Sequence, residues 1–96
     1  MYLLVVNYTQ PTEEASKHTE THTVWVKKYI EQGVFLFAGP KKSKSGGAIL
    51  VKSMDKSLLK KILAEDSFVQ ADVAEYQIID FDIKLVAENF KSLIGA

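Results

Sequence analysis

The chain has 96 residues, 47% of them hydrophobic, and its twelve basic and twelve acidic side chains cancel. That length implies one domain with a modest core, often helped by oligomerisation, and the absent net charge and arginine remove any broad attraction for nucleic acid or an anionic membrane. With no cysteine, disulfides, thiolate nucleophiles and thiolate-held zinc are excluded.

Tyr2 to Tyr8 is a short apolar run rich in aromatic and branched residues, and it reads as a first strand. It has no basic leader and is too short for a signal peptide. No later stretch approaches the roughly 20 apolar residues of a membrane span, so a cytoplasmic protein is the expectation. Thr9 to Ser16, with Pro11, reads as a loop or ragged helix start. From Lys17 to Gln32 the period becomes helical, with His18, His22, Trp25, Val26 and Tyr29 on one face and Gly33 as the stop.

Val34 to Ala38 is a second strand, closed by Gly39-Pro40. Lys41 to Gly47 (KKSKSGG) is a polar loop, and Ala48 to Ser53 a third strand. The loop lacks the Walker spacing, because its glycines follow its lysines, so a solvated hairpin loop or a lid over a small pocket is the reading. Asp55 suits the N-cap of a second helix, Lys56 to Glu65, with Leu58, Leu59, Ile62 and Leu63 facing inward. Ala74 to Ile83 is a fourth strand whose alternation slips at Ile78-Ile79, predicting a bulge or a change of partner surface. Lys84 to Ile94 reads as a terminal helix.

The order is βαββαβ plus a helix, which predicts an α+β, ferredoxin-like sandwich forming a single domain over 1–96 (core 1–83). A sheet covered by helices on one side only should alternate apolar and polar. Val34 to Ala38 and Ala48 to Val51 are apolar on both faces. Something besides the two helices must cover the second face. A second copy packed sheet against sheet is the simplest cover, with the terminal helix as the alternative.

Two polar residues interrupt this pattern. His22 lies at the centre of the apolar arc of the first helix, between Trp25 and Val26 in angle. Asp66 continues the apolar face of the second helix, where a carboxylate is costly unless paired. Both helices pack on one face of the sheet, so the two side chains can converge. A His–carboxylate pair does general acid–base work: the imidazole exchanges protons near neutral pH, and the carboxylate fixes its tautomer. The bland alternative is a buried structural pair. No strong nucleophile accompanies the two, which favours proton abstraction, elimination or isomerisation over acyl transfer.

His18 and His22 have a metal-compatible spacing, but position 19 is Thr rather than Glu and no third ligand is indicated, so no metal is expected. Tyr8, Trp25 and Phe68 are candidate walls of an apolar pocket, and Gly39 and Pro40 its mouth.

His22 with Trp25, Gly33 with Gly39-Pro40, Gly46-Gly47, and Glu65-Asp66-Ser67-Phe68 occur in an order that resembles the YciI-like (YCII-related) family, from Met1 to Asp82. In that family Asp is usually followed by Pro and an aromatic, and a Gly stands shortly after. Here Ser67 replaces the proline and Ala71-Asp72 stands near the glycine position. The resemblance implies a ferredoxin-like fold that dimerises into an α/β-barrel-type assembly. It also implies an active site built on His22 and Asp66. A branch of similar proteins is linked to dehydrochlorination of hydroxylated chloroaromatics, and related dimeric barrels include lactone isomerases and metal-free monooxygenases. The Ser67 departure implies a looser turn beneath Asp66.

The expectation is therefore a cofactor-free small-molecule enzyme performing elimination, dehydrochlorination or isomerisation on a small, cyclic or aromatic substrate. It would be a homodimer through the open sheet face, or a higher oligomer. The alternative is a non-catalytic ligand-binding or assembly domain.

Overall fold

The structure, a computed structural model, describes residues 1–96. Four strands, β1 (Tyr2–Tyr8), β2 (Phe35–Pro40), β3 (Gly46–Val51) and β4 (Ala74–Asp80), form one antiparallel sheet in the order β2-β3-β1-β4. Four helices punctuate the chain: α1 (Thr12–Ser16), α2 (Thr19–Glu31), α3 (Lys56–Leu63) and α4 (Ser67–Gln70). This is the ferredoxin-like arrangement that the element order predicts. No helix is long and apolar enough to cross a membrane.

Alternation along the strands builds the core. Leu4 and Val6 of β1, Ile49 and Val51 of β3 and Phe35 of β2 are buried on the helix side. There they meet Trp25 and Tyr29, one turn apart on α2, and Leu59, Ile62 and Leu63 of α3. Trp25 and Tyr29 pack against Phe35 with ring centroids 5.2 and 5.3 Å away. A second, smaller cluster of Val6, Ala15, Phe68, Val73 and Ala74 closes the other end of the layer.

Three expectations need correction. Leu58 of α3, expected to face inward, is 50% exposed, and only Leu59, Ile62 and Leu63 of that helix are buried. The fourth strand has no bulge, since β4 runs in regular register along β1 from Tyr2↔Asp80 to Tyr8↔Ala74. The irregularity lies in β2, between Phe35 and Phe37. The terminal α-helix is also absent. Residues 81–87 form no regular secondary structure, and only a 3₁₀ helix, Glu88–Leu93, follows. Leu85, Phe90 and Ile94 stay exposed, so a helix there would have no surface to bury its apolar side against, and packing is what normally stabilises one.

The β2 bulge sends Phe35 to the helix side and Phe37 to the other. Phe37 pairs with Leu50, Leu50 with Leu3, and Leu3 with Ile79, so four apolar side chains cross the whole open face in one row. Phe37 is 54% and Ile79 39% exposed.

Candidate active site

Side chains between α2 and the sheet shrink from one end to the other. Moving along β2 and β3 on the helix side, Phe35 and Val51 give way to Ala38 and Ile49, then to Pro40 and Gly47. The glycines are required where they stand. A Cβ on Gly47 would lie 2.9 Å from the Gly39 carbonyl oxygen, and one on Gly46 (φ +150) would collide with the Val6 carbonyl. The missing volume is a cleft of about 320 Å³. Its roof is the Thr19, His22, Thr23 and Val26 side of α2, at helical spacing. Its floor and walls include Val6, Tyr8, Ala38, Pro40, Ile49 and Phe68, and no charged side chain lines it apart from His22 when protonated.

Asp66 is fully buried beside this cleft, and it arrives there by a local device. Helix α3 ends at Leu63, and Asp66 is the N-cap of α4, in extended conformation, accepting from the Phe68 backbone N–H at 3.1 Å. The same Oδ1 lies 2.7 Å from His22 Nδ1. The other oxygen, Oδ2, accepts the Tyr76 hydroxyl at 2.6 Å. Three donors therefore satisfy the carboxylate, and the chain leaves no buried polar side-chain atom unpaired. A carboxylate can only accept, so Nδ1 carries the hydrogen and the neutral ring presents Nε2 as a bare acceptor. Burial, and then the Asp66 charge and hydrogen bond, push the Tyr76 phenol far above its ordinary range, which keeps it a donor.

The turn that caps α4 also sets the imidazole's neighbours. The Phe68 ring stacks on His22 at 4.0 Å with 9° between planes, and the Trp25 ring lies 5.7 Å away, tilted by 39°. Tyr8 meets Phe68 edge-on at 5.6 Å. Ser67 stands at the first helical position, where proline is favoured. Here its hydroxyl donates to the His18 carbonyl (3.2 Å) and accepts from Thr21 (2.8 Å), cross-linking α4 to α2. That tie offsets the loosening expected from losing the proline. Asp72 adopts φ +55, a left-handed conformation that suits glycine and that Asp tolerates better than most residues.

Of the residues singled out from sequence, His22 and Asp66 are hydrogen-bonded, and Tyr8, Gly39, Pro40 and Phe68 lie around the same cleft. Trp25 does not line it. Its ring sits in the main core, 6% exposed, with Nε1 donating to the Ile62 carbonyl at 3.2 Å, so it backs the imidazole and meets no cleft space. Three participants were missed: Tyr76, Thr19 and Thr23. The alternation of β4 places Tyr76 on the core side with Ala74 and Ile78, which was the available signal for a polar-tipped residue facing inward. No group of three or more His, Cys, Asp or Glu side chains could hold a metal ion.

The fold and site define a small ferredoxin-like protein with a buried carboxylate–imidazole pair beside an apolar cleft. The chain belongs to the YCII-related domain family, whose model matches residues 1–82. Among curated proteins none matches significantly. Among solved structures the chain is similar to 5-chloro-2-hydroxyhydroquinone dehydrochlorinase from Burkholderia phenoliruptrix, solved in complex with 2,5-dihydroxybenzoquinone. The TM-score is 0.68 at 12% identity, covering 85% of this chain and 94% of that one. At that identity the likeness establishes the fold.

Proposed function

We propose that this protein is a cofactor-free acid–base enzyme acting on a small hydroxylated ring compound, with His22 Nε2 as the proton acceptor and donor and Asp66 holding the ring. One observation carries the reading. A fully buried carboxylate fixes Nδ1 of an imidazole that lines an otherwise uncharged, mostly apolar cleft. A cleft of about 320 Å³ suits one substituted six-membered ring, with Phe68, Val6, Val26 and Ile49 against its faces. Tyr8, Thr19 and Thr23 offer hydroxyls to its substituents, and Gly39 and Pro40 form the rim.

In an elimination, Nε2 takes an O–H or C–H proton, the freed electron pair forms a new double bond, and a leaving group such as chloride departs with its bonding pair. In an isomerisation, the same proton returns to another carbon. The imidazolium formed midway is balanced by Asp66, which stays ionised. The ligand and reaction of the structurally similar dehydrochlorinase make chlorinated hydroxyhydroquinones the first compounds to try.

The open sheet face is the proposed site of homodimerisation. The row Phe37–Leu50–Leu3–Ile79 crosses that face, and a second copy packed there would cover its exposed ends, Phe37 and Ile79. Ile79→Lys with Phe37→Lys should yield monomers by sedimentation, and an unchanged dimer would refute this interface.

The deciding experiment measures chloride release from 5-chloro-2-hydroxyhydroquinone and binding of 2,5-dihydroxybenzoquinone by wild type and His22→Gln. Turnover lost in the variant while the fold persists sustains the enzyme reading. Binding without any turnover in wild type replaces it with a ligand-binding domain.

A further inference from the structure

We infer that Tyr76 is a positioning residue that sets how readily the His22–Asp66 pair gives up its proton, by donating to the carboxylate oxygen that His22 leaves open. The inference rests on the acid–base reading above and extends it to a residue outside the cleft lining.

The geometry divides Asp66 into two halves. Oδ1 serves the site, receiving His22 Nδ1 at 2.7 Å and the Phe68 N–H at 3.1 Å. Oδ2 receives only Tyr76, at 2.6 Å, and Asp66 has no exposure through which water could replace it. Tyr76 is held there by β4, opposite Val6 in the register, and packs against both core clusters. Its hydroxyl is thus aimed by the sheet, independently of the turn that aims Asp66.

Protons in so close a pair belong to the pair rather than to either residue. The pair holds one more proton in its loaded state than in its basic state, whether that proton is drawn on the imidazole or on the carboxylate. The basic state carries a net buried negative charge. A donor to Oδ2 stabilises that charge and so favours release, because hydrogen bonding to a charged form lowers its proton affinity. Without the Tyr76 hydroxyl the negative charge is less compensated, and the pair keeps its proton to higher pH. Asp66→Asn acts in the opposite sense, since removing the negative charge makes imidazolium less favourable. The two substitutions break the same chain of hydrogen bonds and must move the titration in opposite directions. A purely structural tyrosine would produce no such pattern.

The other titratable groups nearest the pair in sequence on the surrounding elements are Tyr8 on β1, His18 and Glu20 at the start of α2, Glu65 and Asp72 either side of α4, and Glu75 on β4; Tyr2, Lys27, Lys28, Tyr29, Glu31 and Asp80 lie farther along the same elements. Glu65 is taken by Tyr29 (2.6 Å) and Lys28 (3.6 Å), and none of the six side chains hydrogen-bonds to the His22 or Asp66 side chain. Tyr76 is therefore the one titratable side chain besides His22 bonded to the carboxylate.

The test is an NMR titration of the His22 ring in wild type, Tyr76→Phe and Asp66→Asn, with 3,5-difluorotyrosine placed at position 76 as a fourth form. Tyr76→Phe should raise the midpoint by on the order of one pH unit, and Asp66→Asn should lower it. The difluoro side chain keeps the shape and is a stronger donor, so it should lower the midpoint; it also decides the matter if Tyr76→Phe folds poorly. The basic limb of any pH–rate profile should follow the same order. Midpoints unchanged in both Tyr76 forms, with Asp66→Asn still effective, would overturn the role of Tyr76 and leave the acid–base reading standing. Turnover of 5-chloro-2-hydroxyhydroquinone unaffected by His22→Gln would remove that reading itself.

Discussion

The two ends of the layer between α2 and the sheet are built from one helix and the same strands, yet they do opposite things. At one end Trp25, Tyr29, Phe35, Val51 and Leu59 fill the space, and every one is at most 6% exposed. At the other end, one helical turn away, the strands offer Ala38, Pro40 and Gly47, and the space is left open beneath His22. The filled end makes the helix rigid. The open end uses that rigidity to hold an imidazole against Phe68 and near Trp25, with one nitrogen tied and the other untied. Stability and a site are thus separated by about five ångströms of helix rise, and what separates them is side-chain size along two strands.

The sharpest way to break the comparison is to truncate one residue at each end. Phe35→Ala should destabilise the fold by about 3–5 kcal/mol in denaturant titrations, because a fully buried ring is lost. On the proposed function, His22→Gln should leave the denaturation midpoint close to wild type and cut any turnover of 5-chloro-2-hydroxyhydroquinone by roughly 10²–10⁴-fold, the usual worth of a general base.

On the proposed function Asp66 serves both the fold and the site, so its loss should show in both. Asp66→Ala removes a cap and strands the Tyr76 hydroxyl and Phe68 N–H, costing roughly 2–4 kcal/mol and activity together. Asp66→Asn retains an acceptor for the cap and should recover most of the stability while activity stays low. Equal activity in the Asp66→Asn variant and wild type would show that the carboxylate's charge is irrelevant to turnover.

A milder change converts the open end toward the filled one. Ala38→Leu puts a larger apolar side chain into the cleft and should weaken 2,5-dihydroxybenzoquinone binding by roughly tenfold or more, with stability unchanged or slightly raised. Calorimetric binding beside thermal unfolding checks both halves.

The smallest effect is confined to alkaline pH. Burial, and then the bond and charge of Glu65, push the Tyr29 phenol up to about 12, and Tyr76 is held higher still. In the unfolded chain both phenols ionise near 10. The stability they contribute is fully present below pH 10 and is lost as pH rises toward 12, with Tyr76 extending the loss further. Tyr29→Phe should flatten the decline in unfolding free energy between pH 10 and 12, and an identical slope in the variant would contradict the assignment.

Much of this was legible from residue order. Alternation and helical spacing located four strands, the inward faces of Trp25, Tyr29, Leu59 and Ile62, and the anomaly of His22. The Asp55 cap is where its sequence context puts it, accepting from the Ser57 N–H at 3.2 Å. Asp66 was singled out by extending the wrong helix. The wheel for α3 does point inward at position 66, but the chain has left that helix by then, and a four-residue helix too short for any periodic signal aims the carboxylate. Lys84 to Ile94 has helical spacing, but Leu85, Phe90 and Ile94 are left exposed and only a 3₁₀ helix forms there.

The sequence by itself determined which side chains face the helix layer, because period 2 in strands and 3.6 in helices are properties of the local backbone. It also determined that a His and an Asp would sit where burial demands a partner. The tertiary structure alone decided that the two lie 2.7 Å apart, that Tyr76 completes the carboxylate, that Trp25 stands behind the site instead of in it, and that small residues on β2 and β3 leave a cleft there. The hydrogen bonds among them join residues ten to forty-four positions apart in the chain. Such distances depend on how α2, α4 and β4 pack on one sheet, and no local periodicity encodes them.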